Sequence, residues 1–483
     1  MPQRSGAQIS LRAFLQSVVI LLALMLAAGV LTLIVPAGQY TRLELDGREV
    51  IDPDSYRVVA RPDYPVWRWL TAPVEVLAGP DSLTLIVIIV FILLVGVAFA
   101  VLDKSGLLRA LLARVVQRFG GRKYALLLAI SFFFMLIGGF FGIFEEVVPL
   151  VPLMIALAYS LGWDSLVGLG MSILATNLGF SAAVTNPFTL GVAQRLAGLP
   201  LFSGAEARIV IFLVVYAVFA AFLVRYARRV DRQPEASAVF AEDQAERAKY
   251  SHLDLNALNS GGRRLGPALA WLTVALGLIL VVLVAAPFVP ALADYSLPVV
   301  GLLFFFGGVG AGLLAGESRA QVLRAVGEGL AGIAPAIPLI LMAASVKHIV
   351  AQGGSLDTLL HSAAGVFAGT PPLAAAVLVY ALALVIEFFV ASGSAKAFLL
   401  MPILLPLADL VGVTRQTAVL AYCFGDGFSN LAYPTNPVLL ICLGLTVVSY
   451  PKWLRWTLPL WGLLLVITLA SLGLAVALGF GPF

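Results

Sequence analysis

Charge is scarce in this sequence. Asp, Glu, Lys and Arg make up 12% of its 483 residues, against roughly 25% in a soluble domain, and that shortage excludes a soluble globular protein. Cysteine is scarcer still. Cys423 and Cys442 are the only two, both inside apolar segments and without Cys or His neighbours at metal spacing, which excludes a disulfide framework and a cysteine metal site. Histidine occurs three times, at His252, His348 and His361. No two of them stand at metal-ligand spacing and no Ser-His-Asp set accompanies them, so an intramembrane hydrolase lacks a general base beside a credible nucleophile. Nucleic acid is excluded as a partner as well. The net charge of +4 and pI near 9.1 come from arginines beside apolar segments, not from a basic stretch interleaved with aromatics, and that placement follows the positive-inside rule.

What is abundant is apolar surface: 61% of residues are hydrophobic and the mean hydropathy is +1.01. The chain reads as a multi-pass membrane protein whose first partner is the lipid bilayer. Spans are predicted near 13–35, 82–102, 208–228, 267–288, 297–315, 330–350 and 456–478. Two longer, punctuated apolar blocks cover 124–200 and 374–447. The first span follows Arg4 and Arg12 and is too long for a signal-peptide core. Lys104, Arg109, Arg114, Arg118, Arg122 and Lys123 crowd the loop 103–123 against a single Asp103, which puts that loop and the N-terminus in the cytoplasm and the mixed-charge stretch 37–81 outside. Alternation around Asp46-Gly47 predicts an external hairpin. The divisions expected are a first helix with its external loop (1–81), a first repeat (82–228), a cytoplasmic linker rimmed by arginines such as Arg225 and Arg263 (229–266), connecting scaffold helices (267–331) and a second repeat (332–483).

The repeats rest on one spacing. Thr185-Asn186-Pro187 recurs as Thr435-Asn436-Pro437, 250 residues later, and the same shift carries Pro152 onto Pro402 and Gly162 onto Gly412 without a gap. Charge gives the two units opposite starting sides, so they are predicted to be inverted, as in carriers whose substrate sits between repeats near mid-membrane. Each unit has two interruptions. The first, "GGFFGIFEEVVP" (138–149) or "FVASGSAKAFLLMP" (389–402), reads as the tip of a re-entrant hairpin. The second, "NLGFSAAVTNPF" (177–188) or "DGFSNLAYPTNP" (426–437), reads as a helix stopped and restarted, with Asn186 and Asn436 as caps ahead of a proline at the first helical position. Free backbone groups at membrane depth are tolerated only inside protein or along a wet cavity. The expectation is therefore a site: restarted helix ends favouring anions, and unwound carbonyls with Asn177, Ser181, Thr185, Ser429 and Thr435 suited to a hard cation. A proline kink with self-satisfied polar residues is the plainer alternative for either break taken alone.

Ionised side chains at mid-membrane cost from about 2.5 kcal/mol upward, so each one needs a reason. Glu145 and Glu146 precede the second helix of the first hairpin, where carboxylates complement the helix dipole. Lys396, opposite Glu146 in the repeat alignment, opposes that dipole. It is expected either to hold a substrate carboxylate or to pair with Asp426 or Glu387. Ser392, Ser394, Lys396, Asp426, Asn430 and Asn436, with Glu145, Glu146 and Asn186, form the expected substrate-binding set. Lys347 and His348 are expected to snorkel to the outer surface, and His252 and His361 to be solvated. "GGVGAG" (307–312) lies mid-span with no strand before it and reads as close helix packing. The amphipathic stretches 103–119 and 355–368 read as interfacial arm helices.

Taken together, "GIFEEVVPLVPLMIALAYSLGWDSLVG", "NPFTLGVAQRLAGLPLFSG", "SGSAKAFLLMPILLPLADLVGVTRQTAVLAYCFGDGFSN" and "KWLRWTLPL" resemble the YfcC-like branch of the C4-dicarboxylate anaerobic carrier (DcuC) family, within the ion transporter superfamily. The resemblance spans nearly all of 80–478. It implies a secondary carrier in the bacterial inner membrane, commonly a homodimer, with an elevator-type motion and with tips and breaks that hold ion and substrate.

The fold class expected is thus an all-α polytopic membrane protein with inverted repeats, two re-entrant hairpins and two broken spans. Its expected function is secondary active transport of a small organic solute. Glu145, Glu146, Glu387 and Asp426 against Lys396 give the interior a nominal −3, which leans toward an amino acid, a basic one included, by exchange or ion-coupled symport. A C4-dicarboxylate carrier is the alternative, and a gated channel shares the hairpins. No cofactor is expected beyond Na⁺ or H⁺ as the coupling ion.

Overall fold

A computed structural model describes residues 11–45, 48–80, 82–108, 110–111, 114, 120–250, 265–285, 289, 295–365 and 369–481. The Asp46-Gly47 turn, Arg4, Arg109, Arg118, His252, Arg263, Arg264 and residues 112–113 and 115–119 of the first arm segment lie outside the described residues. The described chain is mostly helical. Nine helical stretches in it are long and apolar enough to cross a membrane. The protein is a multi-pass membrane protein.

In chain order the main elements begin with α1 (Leu11–Ile34), the short strands β1 (Gly38–Gln39), β2 (Arg42–Leu45), β3 (Arg48–Ile51) and β4 (Arg57–Val58), then α2 (Arg68–Glu75) and α3 (Ser82–Lys104). The first half continues with α4 (Lys123–Phe141), α5 (Val151–Ser160), α6 (Ser165–Leu169), α7 (Ala175–Ala182), α8 (Val192–Leu196) and α9 (Ala205–Arg232). Next come α10 (Phe240–Tyr250), α11 (Leu265–Ala285), α12 (Ser296–Leu314) and α13 (Arg319–Ile333). The second half holds α14 (Ala336–Gln352), α15 (Leu356–Ala364), α16 (Pro372–Glu387), α17 (Gly393–Leu410), α18 (Arg415–Gly427), α19 (Pro437–Gly444) and α20 (Tyr450–Ala477). π-helical turns at Gly170–Leu174 and Pro187–Gly191 join α6 to α7 and lead into α8. The predicted spans reappear with shifted ends. The sequence reading missed α13 as a separate helix, although Ser318 and Gln321 build a reciprocal capping box at its start.

The 250-residue spacing is visible in three dimensions. Gly162 and Gly412 both take left-handed backbone, with φ of 89° and 74°. The next residues then bond back to the preceding helix, Trp163 N–H to Ala158 O at 2.8 Å and Val413 N–H to Ala408 O at 2.9 Å, the glycine-terminated helix end. Asp164 and Thr414 then cap the following helices by accepting from the amides of Val167 and Thr417. The same two-residue signal therefore turns the chain in both halves.

Most of the stretch Ser165–Leu196 is buried by the rest of the protein, with Arg195 exposed near its end; α4 packs along one side and α18 against it. The membrane-facing surface belongs to helices such as α9 and α20, which expose Val210, Leu213, Val466 and Leu474.

Outside this core, β2 and β3 pair in the register expected of a hairpin, Arg42 opposite Ile51 and Leu45 opposite Arg48. The loop grips α15: Asp357 accepts from Arg42 Nη1 at 3.0 Å, Arg42 Nη2 at 2.8 Å and Tyr40 N–H at 2.9 Å. His361 is exposed, as expected, and rests one ring face on Tyr56 with centroids 3.8 Å apart. His348 meets Glu75 at 3.4 Å, and Arg68 meets the same carboxylate at 2.7 Å.

The linker is not a plain tether. Asp243 on α10 accepts from Tyr159 Oη, Ser165 N–H and Ser165 Oγ, each at 2.8 Å. Asp164 accepts from Tyr226 Oη at 2.6 Å and Ser237 Oγ at 2.7 Å, and Arg247 Nη2 donates to Gly162 O at 2.9 Å. Residues 234–250 are thus clasped to the turn that begins the buried stretch. Burial, outweighing these donors, pushes the Asp243 carboxyl up from 3.8 to about 6. An acid whose docked pKa is raised favours docking when protonated, so its contribution is complete below about pH 4 and fades as pH rises through 6. Backbone hydrogen exchange across 240–250 is therefore expected to be slower at pH 5 than at pH 7.5 after correction for intrinsic rates. Asp243→Asn is expected to remove that difference.

Candidate functional site

The two breaks meet. A Cβ on Gly427, at the end of α18, would lie 2.5 Å from Ser181 Cα on α7, a contact that only glycine permits. Each break is closed by its asparagine in the same way. Asn186 Oδ1 accepts from Phe188 N–H at 2.9 Å and Thr189 N–H at 3.3 Å, and Asn436 Oδ1 accepts from Val438 N–H and Leu439 N–H at those same distances. Proline at the first helical position follows in both.

The first break is shorter than expected. Asn177 and Ser181 lie within α7, and the helix stops only at Ala183, whose φ is +45°. Hydrogen bonds explain the position: Val184 N–H and Thr185 N–H both donate to Gly139 O of α4, at 2.9 and 3.1 Å, and Thr185 Oγ1 donates to Phe140 O at 2.8 Å. The second break runs from Phe428 to Asn436 as successive turns. Its carbonyls were expected to be open to a cation, but Leu431 O accepts from Trp453 Nε1 at 2.8 Å and Ala432 O from Tyr450 Oη at 2.7 Å.

What is left open is specific. Asn177 is fully buried with neither amide atom partnered, and Thr189 Oγ1 and Thr435 Oγ1 are buried without partners. Ser181 and Ser429 hydroxyls donate to the carbonyls of Asn177 and Gly425, keeping their lone pairs free to accept. Asn436 Nδ2 donates to Asn430 Oδ1 at 3.1 Å. Among the described residues, no group of three or more His, Cys, Asp or Glu stands close enough to hold a metal.

Beside the meeting point sits a charge cluster. Lys396, in the first turn of α17, lies against Glu387 at the end of α16 and 2.8 Å from Asp426 near the end of α18, with all three side chains 0–1% exposed. Tyr422 Oη donates to Gly393 O, and a Cβ on Gly393 would meet both Thr189 and Asp426. The second tip therefore touches both broken helices. Of the two readings of Lys396, the ion pair is the one formed here, and it takes both carboxylates.

The remaining expected site residues separate. Glu145 is exposed and close enough to Asp426 for their charges to interact. Glu146, expected to bind substrate, is turned away: it accepts from Ser296 Oγ on α12 at 2.9 Å and from Phe144 N–H at 3.3 Å, so it fastens the first tip to a scaffold helix. Ser392 is exposed at the start of α17 without capping through its side chain, and Ser394 is half-buried. Arg208 was not anticipated. It is fully buried in the first turn of α9 beside the Cys423 thiol. In the sequence it looked like the edge of a span, and only its position at the head of an apolar run signalled burial.

The family model described as C4-dicarboxylate anaerobic carrier, DcuC, matches residues 14–477. The chain belongs to this family. A relative from Escherichia coli (strain K12), named as a proposed basic amino acid antiporter, YfcC, is 30% identical over 94% of each chain. An uncharacterized protein from Haemophilus influenzae is 25% identical over 79% of this chain and 73% of its own. The Alcanivorax borkumensis YdaH transporter aligns over 97% of this chain and 99% of that chain at 20% identity with a TM-score of 0.42, and the Neisseria gonorrhoeae MtrF pump over 95% and 94% at 18% and 0.41.

Two sets of variants probe the meeting point. Gly427→Ala is expected to push the breaks apart, lowering thermal stability by about 1–3 kcal/mol and removing transport. Asn186→Ala and Asn436→Ala are each expected to cost about 1 kcal/mol as lost caps and to weaken ion dependence and cargo affinity together. Unchanged apparent affinities in both asparagine variants would count against the breaks as the site.

Proposed function

We propose that the protein is a secondary active transporter in the bacterial cytoplasmic membrane, with a cytoplasmic N-terminus, that moves a small cationic organic solute, a basic amino acid by preference. One observation carries this reading: a buried cluster of two carboxylates and one lysine, with the exposed Glu145 near it. Such a cluster keeps a net negative charge when ionised, and at membrane depth that charge calls for a cation. The name of the Escherichia coli relative points the same way. Elsewhere, a cavity of about 90 Å³ is lined by Asp103, Glu246 and the Lys104-paired Glu328 among apolar residues.

In this reading the halves are inverted repeats, the tips at Gly142–Phe144 and Phe388–Ser392 belong to re-entrant hairpins, and the buried broken helices move with them as the elevator of a homodimer. Na⁺ or H⁺ couples the movement if exchange does not. The second reading, a C4-dicarboxylate carrier coupled to Na⁺ or H⁺, draws on the family's description and on two asparagine-capped helix starts that favour anions. Against it, Lys396 is already held by Glu387 and Asp426.

Purified protein in liposomes decides between them. Saturable counterflow of labelled lysine or arginine, unaffected by excess succinate, is the expected outcome. Succinate counterflow without lysine counterflow would establish the second reading, and non-saturable flux without counterflow would establish a channel.

A further inference from the structure

Glu387 and Asp426 come from different elements, the end of α16 and the end of α18, yet both face one buried amine. Lys396 sits in the first turn of its helix, where a positive charge opposes the helix dipole. Local structure therefore works against it, and only the two carboxylates account for its place. A pair of buried carboxylates without a cation is strongly unfavourable, and a carrier must cross the bilayer in that condition whenever it returns empty.

We infer that Glu387 and Asp426 form the site for the primary ammonium group of the cargo, and that the Lys396 amine is a resident stand-in that occupies this site when no cargo is bound. The inference rests on the cationic-cargo reading and adds a role for Lys396. Cargo enters by displacing Lys396 from the carboxylates, and Lys396 returns as cargo leaves. Exchange needs only the loaded form, so it does not depend on the stand-in. Net movement needs the empty form and does.

Lys396→Ala in proteoliposomes is expected to lower the ratio of net lysine uptake to lysine–lysine exchange at least tenfold relative to the unaltered protein. Lys396→Arg, which keeps a cation, is expected to hold the ratio within about threefold. A fall of both fluxes together in a folded Lys396→Ala protein would overturn the stand-in and make Lys396 a cargo anchor. An unchanged ratio would overturn it as well.

A second measurement does not depend on the cargo. Propylammonium has the reach of the deleted side chain, and at millimolar concentration it is expected to raise the melting temperature of Lys396→Ala but not of the unaltered protein, with propanol inactive on both. Equal effects on the two proteins, or none, would sink the inference. If the propylammonium result holds while the unaltered protein fails to exchange lysine, the cargo reading fails and the ammonium site stands.

Discussion

The structure depends on one constraint: at membrane depth no backbone group or ionised side chain is left without a partner cheaply. A broken helix frees several such groups, and their partners dictate what packs where. Val184 and Thr185 send their amides to Gly139 O, and the Thr185 hydroxyl goes to Phe140 O. The first break is thus bonded to the helix that runs up to the first tip. Trp453 and Tyr450 serve the carbonyls of the second break from α20. Breaks, tips and flanking helices form one unit because separating them would strand polar groups in hydrocarbon.

Within that unit the two halves share a scaffold and differ in chemistry. Asparagine caps, left-handed glycines and prolines coincide at the 250-residue spacing. The charges do not. Glu146 and Lys396 occupy matching positions, but Glu146 is tied to Ser296 while Lys396 is held by Glu387 and Asp426. One tip is anchored to the surrounding helices and the other carries a buried ion cluster. The shared frame places the groups, and the differences in charge set the two tips apart.

Two polar clasps lie at the ends of this frame. On one side Arg42 and Tyr40 hold Asp357, and on the other Asp243 and Asp164 hold the linker to the turn at Gly162–Ser165. Both tie segments outside the two matched stretches to helices within them. Neither is written in hydropathy, since each rests on a few hydrogen bonds between residues far apart in the chain.

The sequence by itself determined the membrane class, most spans, the doubled motif and the capping residues, because hydropathy, proline and helix caps act over a few residues and carry their signal locally. Asn186 and Asn436 were legible for that reason, and Lys396 because a lysine at a helix start has no local justification. Only the tertiary structure decided that the first break begins at Ala183, that the carbonyls of Leu431 and Ala432 are already taken, that Glu146 faces a scaffold helix, and that Arg208 is buried. Those outcomes turn on which distant group reaches a given atom first. A sequence specifies that choice only through the complete packing of the chain.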